Sequence, residues 1–472
     1  MKRPTIGRGV ILLALAGLFA GACSDAPPTG TADAAPDARR SSEEVDRALR
    51  EYLVQHGFTG RIASTLESRL GRPVDRQLAD LGRLLWFDPI QGLNDDNSCA
   101  GCHAPGNGFG DTQPMAIGID NNGVVGPGRT GPRNQRRSPM VINTAFYPTL
   151  MWNSRFHAPS GDPFDNGQGF VFPDPEGTTL SYLPHLLTAQ AFIPPTERVE
   201  AAGFHFPGNS DDIRDEVVRR LNESPAYHRL FARAFPRVRA GDPIAFDDVA
   251  RAIAEFEFTL VFADAPIDRY ARGARGAMSP RQKQGAVLFF GRAGCVGCHA
   301  VAGQSNEMFS DFRQHVAGVP QIAPALSNMV FDGPAANEDF GLEQVTANPA
   351  DRYAFGTSPL RNVALQPAFT HNGAFVSLEE AIRYHLDAVA GAAAYTTAML
   401  PPDLQGPIGP MQPVLERLDP ALRSPVSLSE DEFAALVDFV RNGLLDRAAQ
   451  PHRLQRLIPE TLPSGRPGLL FQ

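Results

Sequence analysis

The sequence contains the pentapeptide Cys99-Ala100-Gly101-Cys102-His103 and a second peptide of the same pattern, Cys295-Val296-Gly297-Cys298-His299. Two cysteines separated by two residues and followed at once by histidine are typical of covalent c-type haem attachment. The thiols add to the haem vinyl groups, and the histidine becomes an axial ligand of the iron. The pattern therefore predicts two c-type haems, one held by Cys99, Cys102 and His103 and one by Cys295, Cys298 and His299.

Other uses of paired cysteines fit this chain less well. A disulfide or a zinc site is the alternative for a single pair, but structural zinc requires four ligands that converge. Here the two pairs lie far apart in the sequence, each is followed by a histidine, and the only remaining cysteine of the five is Cys23.

Cys23 follows a predicted secretory leader. Residues 1–22 have a short basic start, an apolar run and small residues before the cysteine, as leaders of exported proteins do. The end of the leader resembles a bacterial lipoprotein processing site, and ordinary cleavage near Ala22 is the alternative. We expect a periplasmic protein with a lipid anchor at Cys23, followed by a flexible tether at 23–45.

The composition is that of a globular protein without a general affinity for nucleic acid. The 472 residues are 43% hydrophobic and 20% charged, and the formal net charge is −9. Such a chain can form a large core, and it has no excess of basic residues to favour nucleic acid or anionic lipid. The only membrane association expected is through the lipid anchor.

Amphipathic helices are predicted before each cysteine motif and between the two motifs. Apolar residues recur at helical spacing over 78–87, 211–235, 247–262 and 282–290. Ser429 and Glu432 form a capping-box pattern ahead of a further apolar run. The chain is therefore expected to be mainly α-helical, with long Gly/Pro-rich loops of the kind that cover sites.

From about residue 76 to residue 444 the sequence resembles the bacterial dihaem cytochrome c peroxidase and MauG-like family. The resemblance rests on ordered motifs around the cysteine pairs, at 81–89, 137–143, 151–155, 190–200, 358–363, 371–373 and 377–385. It implies two cytochrome c-like haem domains packed against each other. The expected division is a first, peroxidatic domain at 46–265 with an insertion at about 153–185, a second, electron-transfer domain at 266–450, and a C-terminal tail at 451–472.

The resemblance also implies three catalytic residues. Trp152 matches a tryptophan that lies between the two haems and relays electrons; a packed core aromatic is the alternative. Gln190 and Glu200 match residues at the open face of the first haem. There the glutamate is the acid/base that moves a proton between the two oxygens of hydrogen peroxide, and Glu197 is its rival for that role.

The second iron is expected to carry a sixth ligand from the protein. The family places this ligand at the ninth residue of the helix that begins at Ser377, as methionine in the peroxidases and tyrosine in the MauG type. Here that residue is His385, with Tyr384 and Met399 as alternatives. Two histidine ligands would close this iron to peroxide and suit it to storing or passing one electron.

Departures from the family pattern affect the expected function. Peroxidases that need prior reduction carry a histidine in the loop after the first haem, and 118–134 contains none. The first haem is therefore expected to be open in the oxidised protein. Arg137 replaces an asparagine of the family's calcium site, and Gln366 also departs from that site, so calcium is left uncertain.

The expected insertion is the largest departure in length. It carries Phe164, Phe170 and Phe172. We expect it to form a surface elaboration near the first haem or a docking face.

These features together predict a hydrogen-peroxide-dependent oxidoreductase. In the MauG-like form, which the open first haem favours, stored oxidising equivalents oxidise a residue of a partner protein. In the cytochrome c peroxidase form, a small redox protein donates electrons and water is the product. A dihaem electron-transfer lipoprotein without peroxide chemistry is the alternative from another class, and the retained Gln190, Pro194 and Glu200 argue against it.

Overall fold

The computed structural model describes residues 42–172, 180 and 182–472. The predicted leader, Cys23 and most of the predicted tether lie outside these residues, as does part of the insertion. The first helix begins at Ser42, within the segment predicted as tether. In the described ranges, no helix is both long and apolar enough to cross a membrane.

The described part of the chain is mainly helical, as predicted. Its α-helices are α1 (Ser42–Gln55), α2 (Leu66–Leu70), α3 (Arg76–Phe87), α4 (Cys99–Cys102), α5 (Leu186–Gln190), α6 (Ser210–Glu223), α7 (Pro225–Ala234), α8 (Pro236–Arg239), α9 (Phe246–Phe258), α10 (Pro266–Ala271), α11 (Pro280–Phe290), α12 (Glu343–Thr346), α13 (Leu378–Leu386), α14 (Ala388–Ala394), α15 (Gln412–Leu415), α16 (Glu430–Asp438) and α17 (Pro451–Leu454). Two π-helical turns cover Arg198–Ala202 and Phe439–Gly443.

Strands are short and pair two by two. They are β1 (Val124–Val125), β2 (Thr149–Leu150), β3 (Phe156–His157), β4 (Gln314–His315), β5 (Phe355–Gly356) and β6 (Leu470–Phe471). β1 pairs with β6 in parallel, whereas β2 with β3 and β4 with β5 are antiparallel. Short 3-10 helices occur in the connections, including Cys295–Gly297 at the second cysteine motif.

The same helix crossing occurs twice, each time just before a cysteine motif. α3 packs against α9 at Gly82, where a Cβ atom would lie 1.8 Å from the carbonyl oxygen of Ala252. α11 packs against α16 at Gly285, where a Cβ atom would lie 2.0 Å from the carbonyl oxygen of Ala435. Any side chain at either glycine would push the helices apart, so glycine sets both crossings.

Helix ends follow signals that the sequence contains. Ser429 Oγ accepts a hydrogen bond from the Glu432 amide at 3.3 Å, and Glu432 Oε2 accepts one from the Ser429 amide at 2.9 Å, which confirms the predicted capping box of α16. The helical period predicted over 211–235 is two helices, because Ser224 caps α7 and Pro225 is its first residue. Proline at that position cannot continue α6.

Buried apolar side chains form three clusters, around α3 and α9, around α11 and α16, and around α13. Both ends of the range 42–472 pack against a distant part of the sequence. Leu49 and Leu53 of α1 are buried in the cluster of α11 and α16, and the Phe471 ring lies 5.8 Å from that of Phe87 in α3. The division into two domains stays a prediction, but segments at both ends cross between its parts.

The segment between α9 and α10 connects the regions of the two cysteine motifs. The Phe262 carbonyl accepts hydrogen bonds from Asn143 Nδ2 at 3.1 Å and from Asn362 Nδ2 at 2.9 Å. Both asparagines have left-handed backbones, with φ of 70° and 59°, and each follows a Ser-Pro turn. The Pro139 and Ser358 backbones of these turns contact the two motif histidines.

Candidate active site

Both cysteine motifs line a single cavity of about 730 Å³. Every residue that the sequence analysis assigned to the site lies on its wall. These residues are Cys99, Cys102, His103, Cys295, Cys298, His299, Trp152, Gln190, Glu200 and His385. The fold thus brings together residues that are almost three hundred positions apart in the chain.

His103, at the end of α4, is held in one tautomer by the backbone. Its Nδ1 atom lies 3.1 Å from the carbonyl oxygen of Phe109. Because a carbonyl oxygen can only accept, Nδ1 carries the hydrogen and Nε2 keeps its lone pair, as a metal ligand requires. Burial lowers the pKa of His103 to about 4, so the imidazole is neutral at neutral pH.

His299 repeats this arrangement at the second motif. Its Nδ1 atom lies 3.0 Å from the carbonyl oxygen of Phe309, and burial lowers its pKa to about 4. Phe109 and Phe309 both have left-handed backbones, with φ of 55° and 58°, which turns each carbonyl toward the histidine ring. In each motif a pair of thiols therefore lies beside a neutral imidazole whose Nε2 is free, a donor set that fits a covalently bound haem.

His385 on α13 faces the second motif. Its Nδ1 atom donates to the Ala381 carbonyl at 2.7 Å, which leaves the Nε2 lone pair free on the cavity wall. Burial lowers its pKa, and a charge on His385 would in turn lower the pKa of His299. The two imidazoles are therefore electrostatic neighbours in one cavity.

The two alternative ligands are placed elsewhere. The Tyr384 hydroxyl donates to the Gly318 carbonyl, and its ring packs 4.7 Å from that of Phe375 in the cluster around α13. Met399 is 71% exposed. Neither side chain lines the cavity, so His385 is the candidate of the three that the fold presents to it.

Glu200 and Glu197 both line the cavity but have different partners. Glu197 forms an ion pair with Arg155 at 2.8 Å. The Glu200 carboxyl has no such partner in the described structure; its position is fixed through its backbone carbonyl, which accepts from Asn97 Nδ2 at 2.8 Å. Burial and the negative charge of Glu197 raise the pKa of Glu200 to about 7, although Arg155 opposes this rise. A carboxyl with this pKa both accepts and donates protons at neutral pH.

Gln190 and Trp152 complete the predicted set. Gln190 is the last residue of α5. Trp152 lies in the loop that joins β2 to β3, and its Nε1 donates to the Arg137 carbonyl at 2.8 Å. The Trp152 carbonyl accepts from the Gly356 amide of β5 at 2.8 Å. Trp152 is thus tied to segments that follow the first motif and segments that follow the second.

Two titratable groups on the cavity wall were not anticipated from the sequence. His315 lies between Asp419 at 2.7 Å and Asp311 at 3.0 Å, and its hydrogen bonds to these aspartates raise its pKa to about 9. Glu257, on α9, is 4% exposed and its Oε2 atom has no hydrogen-bond partner in the described ranges. Burial raises the pKa of Glu257 to about 8. The i, i+4 spacing of Asp311 and His315 was the only sequence signal for either.

Three phenylalanines of the insertion pack against the rest of the fold. Phe170 and Phe172 are buried, and the Phe172 ring lies 4.9 Å from that of Phe156. The Phe164 ring lies under the Arg69 guanidinium at 4.1 Å. Phe170 and Phe172 therefore belong to the core around α3 and α9, and Phe164 packs against it. A docking face formed by the insertion stays a prediction.

Comparison with known proteins agrees with the geometry. A family model described as di-haem cytochrome c peroxidase matches residues 76–276. The chain is 28% identical over 335 residues to cytochrome c551 peroxidase of Pseudomonas aeruginosa, covering 71% of this chain and 78% of that protein. It is 29% identical over 395 residues to methylamine utilization protein MauG of Paracoccus denitrificans, covering 80% and 91%.

Solved structures share the fold. A MauG-like protein associated with microbial copper homeostasis superposes with a TM-score of 0.56 at 23% identity, covering 80% of this chain and 92% of that one. The diheme peroxidase BthA from Burkholderia thailandensis has a TM-score of 0.53 at 20% identity, covering 84% and 90%.

Proposed function

Because the chain belongs to the di-haem cytochrome c peroxidase and MauG family, and is thus an oxidoreductase with two c-type haems, we propose that it uses hydrogen peroxide at one haem and stores or passes electrons at the other. The first haem would be held by Cys99, Cys102 and His103. The second would be held by Cys295, Cys298 and His299. The two cytochrome c-like domains expected from the sequence would each carry one.

The placement of Glu200 carries this proposal. Bound haem supplies the iron that takes up peroxide and the electrons that break its oxygen–oxygen bond. The Glu200 carboxyl takes the proton from one peroxide oxygen and returns it to the other, and its pKa of about 7 suits both steps. Glu197 is held by Arg155, so it sets the charge around Glu200 without moving the proton itself. Gln190 orients peroxide from the adjacent wall.

The second site differs because a histidine faces it. His385 has a fixed tautomer with a free Nε2 beside His299, which suits it to be the sixth ligand of the second iron. With His299 and His385 both held to the haem iron, this site would leave no open position for peroxide. Trp152, tied to one region by its indole N–H and to the other by its backbone carbonyl, would pass electrons between the two haems.

The two forms of the proposed activity differ in where the oxidising equivalents go. The MauG-like form, in which a residue of a partner protein is oxidised, is favoured by the lack of a histidine in 118–134, since an open first haem needs no prior reduction. The cytochrome c peroxidase form would take electrons from a small redox protein. Export to the periplasm and a lipid anchor at Cys23 rest on the leader sequence and complete the proposal.

The test adds hydrogen peroxide to the fully oxidised holoprotein, with no reductant present. We expect an immediate change in haem absorption that is slowed in Glu200→Gln and retained in Glu197→Gln, the matched control. Unreacted peroxide would contradict the proposal and favour a plain electron-transfer protein. Supplying a reduced small cytochrome in one arm and candidate partner proteins in another, with mass spectrometry of the latter, separates the two forms.

A further inference from the structure

Four arginines line the cavity, and three of them have carboxylate partners within the chain. The pairs are Arg136 with Asp339 at 2.6 Å, Arg155 with Glu197 at 2.8 Å, and Arg292 with Glu432. The fourth is Arg137, which makes no ion pair with the residues that the structure describes.

Arg137 is only 4% exposed. One guanidinium nitrogen donates to the Asp111 carbonyl at 3.4 Å, and Nε has no partner among the described residues. The Asp111 carboxylate is occupied instead by the amides of Ser138 and Gln113, each at 2.9 Å. The guanidinium is thus a buried cation with most of its hydrogen-bonding capacity unused.

A cation in this position is costly without an anion. Burial lowers the pKa of Arg137 to about 10, opposed by the charge of Asp111, so the group stays charged at neutral pH. A buried charge without an ion-pair partner destabilises a protein, which indicates that a negative group reaches Arg137 in the complete protein.

We propose that Arg137 binds a haem propionate, with its planar fork of donors directed at the carboxylate oxygens. Haem is fixed to the same cavity by the cysteine motifs, and each haem carries two propionate carboxylates. A free inorganic anion is the competing occupant.

The backbone of Arg137 also holds the Trp152 side chain. Its carbonyl accepts from Trp152 Nε1 at 2.8 Å, and its amide donates to the His371 carbonyl at 2.8 Å. The residue that binds the propionate therefore also positions the tryptophan proposed to pass electrons. Arg137 is a positioning residue that stabilises the reduced form of the neighbouring haem, because its positive charge favours the added electron.

This inference rests on the two bound haems and not on peroxide chemistry. The reduction potentials of both haems are measured by spectroelectrochemistry in the holoprotein and in Arg137→Gln, Arg137→Lys and Arg219→Gln, each with two haems confirmed by mass. We expect Arg137→Gln to disfavour reduction of one haem about tenfold, or about 59 mV for one electron. Arg137→Lys keeps the charge but not the planar fork of donors, so its potential should shift in the same direction by a smaller amount, less than half of that. Arg219→Gln, at an exposed ion pair outside the cavity, should leave both potentials unchanged.

Unchanged potentials in Arg137→Gln would overturn the inference, even if peroxide still reacts. If Arg137→Gln does not bind two haems, the Arg137→Lys variant is measured instead. Potentials identical to those of the wild type in that variant would then reject the inference. Repeating the wild-type titration with added inorganic phosphate tests the competing occupant. Potentials that depend on phosphate in the wild type, and not in Arg137→Lys, would assign the site to a free anion and reject the propionate.

Discussion

The pH dependence of peroxide turnover is expected to report the pKa of Glu200. With a pKa of about 7, half of the carboxyl groups are ionised at pH 7, and only about 1% at pH 5. If the ionised form accepts the proton, the rate at pH 8 exceeds that at pH 5 by about 90-fold. A glutamate with the ordinary pKa of about 4.5 would change by only about 1.3-fold over the same range.

The acidic limb of the pH–rate profile, where the rate rises as Glu200 ionises, is moved in opposite directions by two neighbouring charges. In Glu197→Gln the repulsion that raises the pKa of Glu200 is gone and Arg155 is freed, so the limb shifts to lower pH. In Arg155→Gln the opposing positive charge is gone, so the limb shifts to higher pH. The side chains lie on the same cavity wall, and the two variants therefore serve as controls for each other.

The assay is the second-order rate constant for peroxide with a one-electron donor in excess, measured from pH 5 to pH 9, because that constant reports the free enzyme. Glu200→Gln should lower the rate by about 10²–10⁴ and abolish the limb. An acidic limb that survives in Glu200→Gln would refute the reasoning. So would a shift in the same direction for Glu197→Gln and Arg155→Gln.

Three further outcomes are expected. His385→Ala should convert the second haem from low-spin to high-spin in absorption spectra, and a spectrum that stays low-spin would assign the ligand elsewhere. His315→Gln should lower the free energy of unfolding by about 2 kcal/mol below pH 6.5. Because the pKa of His315 in the folded protein is raised to about 9, that loss should shrink as pH rises through 9. A loss that does not depend on pH would contradict the ion pair. Gly82→Ala should destabilise by about 1–3 kcal/mol or more, since its Cβ would meet the Ala252 carbonyl at 1.8 Å, whereas Gly276→Ala, with nothing within 4 Å, should not.

The spacing of residues in the sequence predicted those features that are formed by residues close together in the chain. The cysteine motifs, the helices before them and the capping box at Ser429 follow from residues within one or two turns of each other, and the structure has the helices there. Glu200, Gln190, Trp152 and His385 came from the family resemblance. The structure places all four on the cavity wall, although their roles stay predictions.

What the sequence could not reveal depends on distant partners. The pKa of His315 is raised by Asp311, four positions away, and also by Asp419, which lies 104 positions away. Burial alone raises the pKa of Glu257. The sequence marked Arg137 only as a departure from the family, because the lack of an ion pair to its guanidinium is a property of the folded cavity. The phenylalanines of the insertion gave no periodic signal for burial, since a Gly/Pro-rich segment has no helix or strand period.

The division of labour between the two haems is the central claim, and the electron paramagnetic resonance spectrum of the fully oxidised holoprotein tests it most directly. With both haems bound, one high-spin signal from the open first haem and one low-spin signal from the second are expected. Hydrogen peroxide should remove the high-spin signal in the wild type and do so far more slowly in Glu200→Gln. Two low-spin signals, with no high-spin component, would contradict the account.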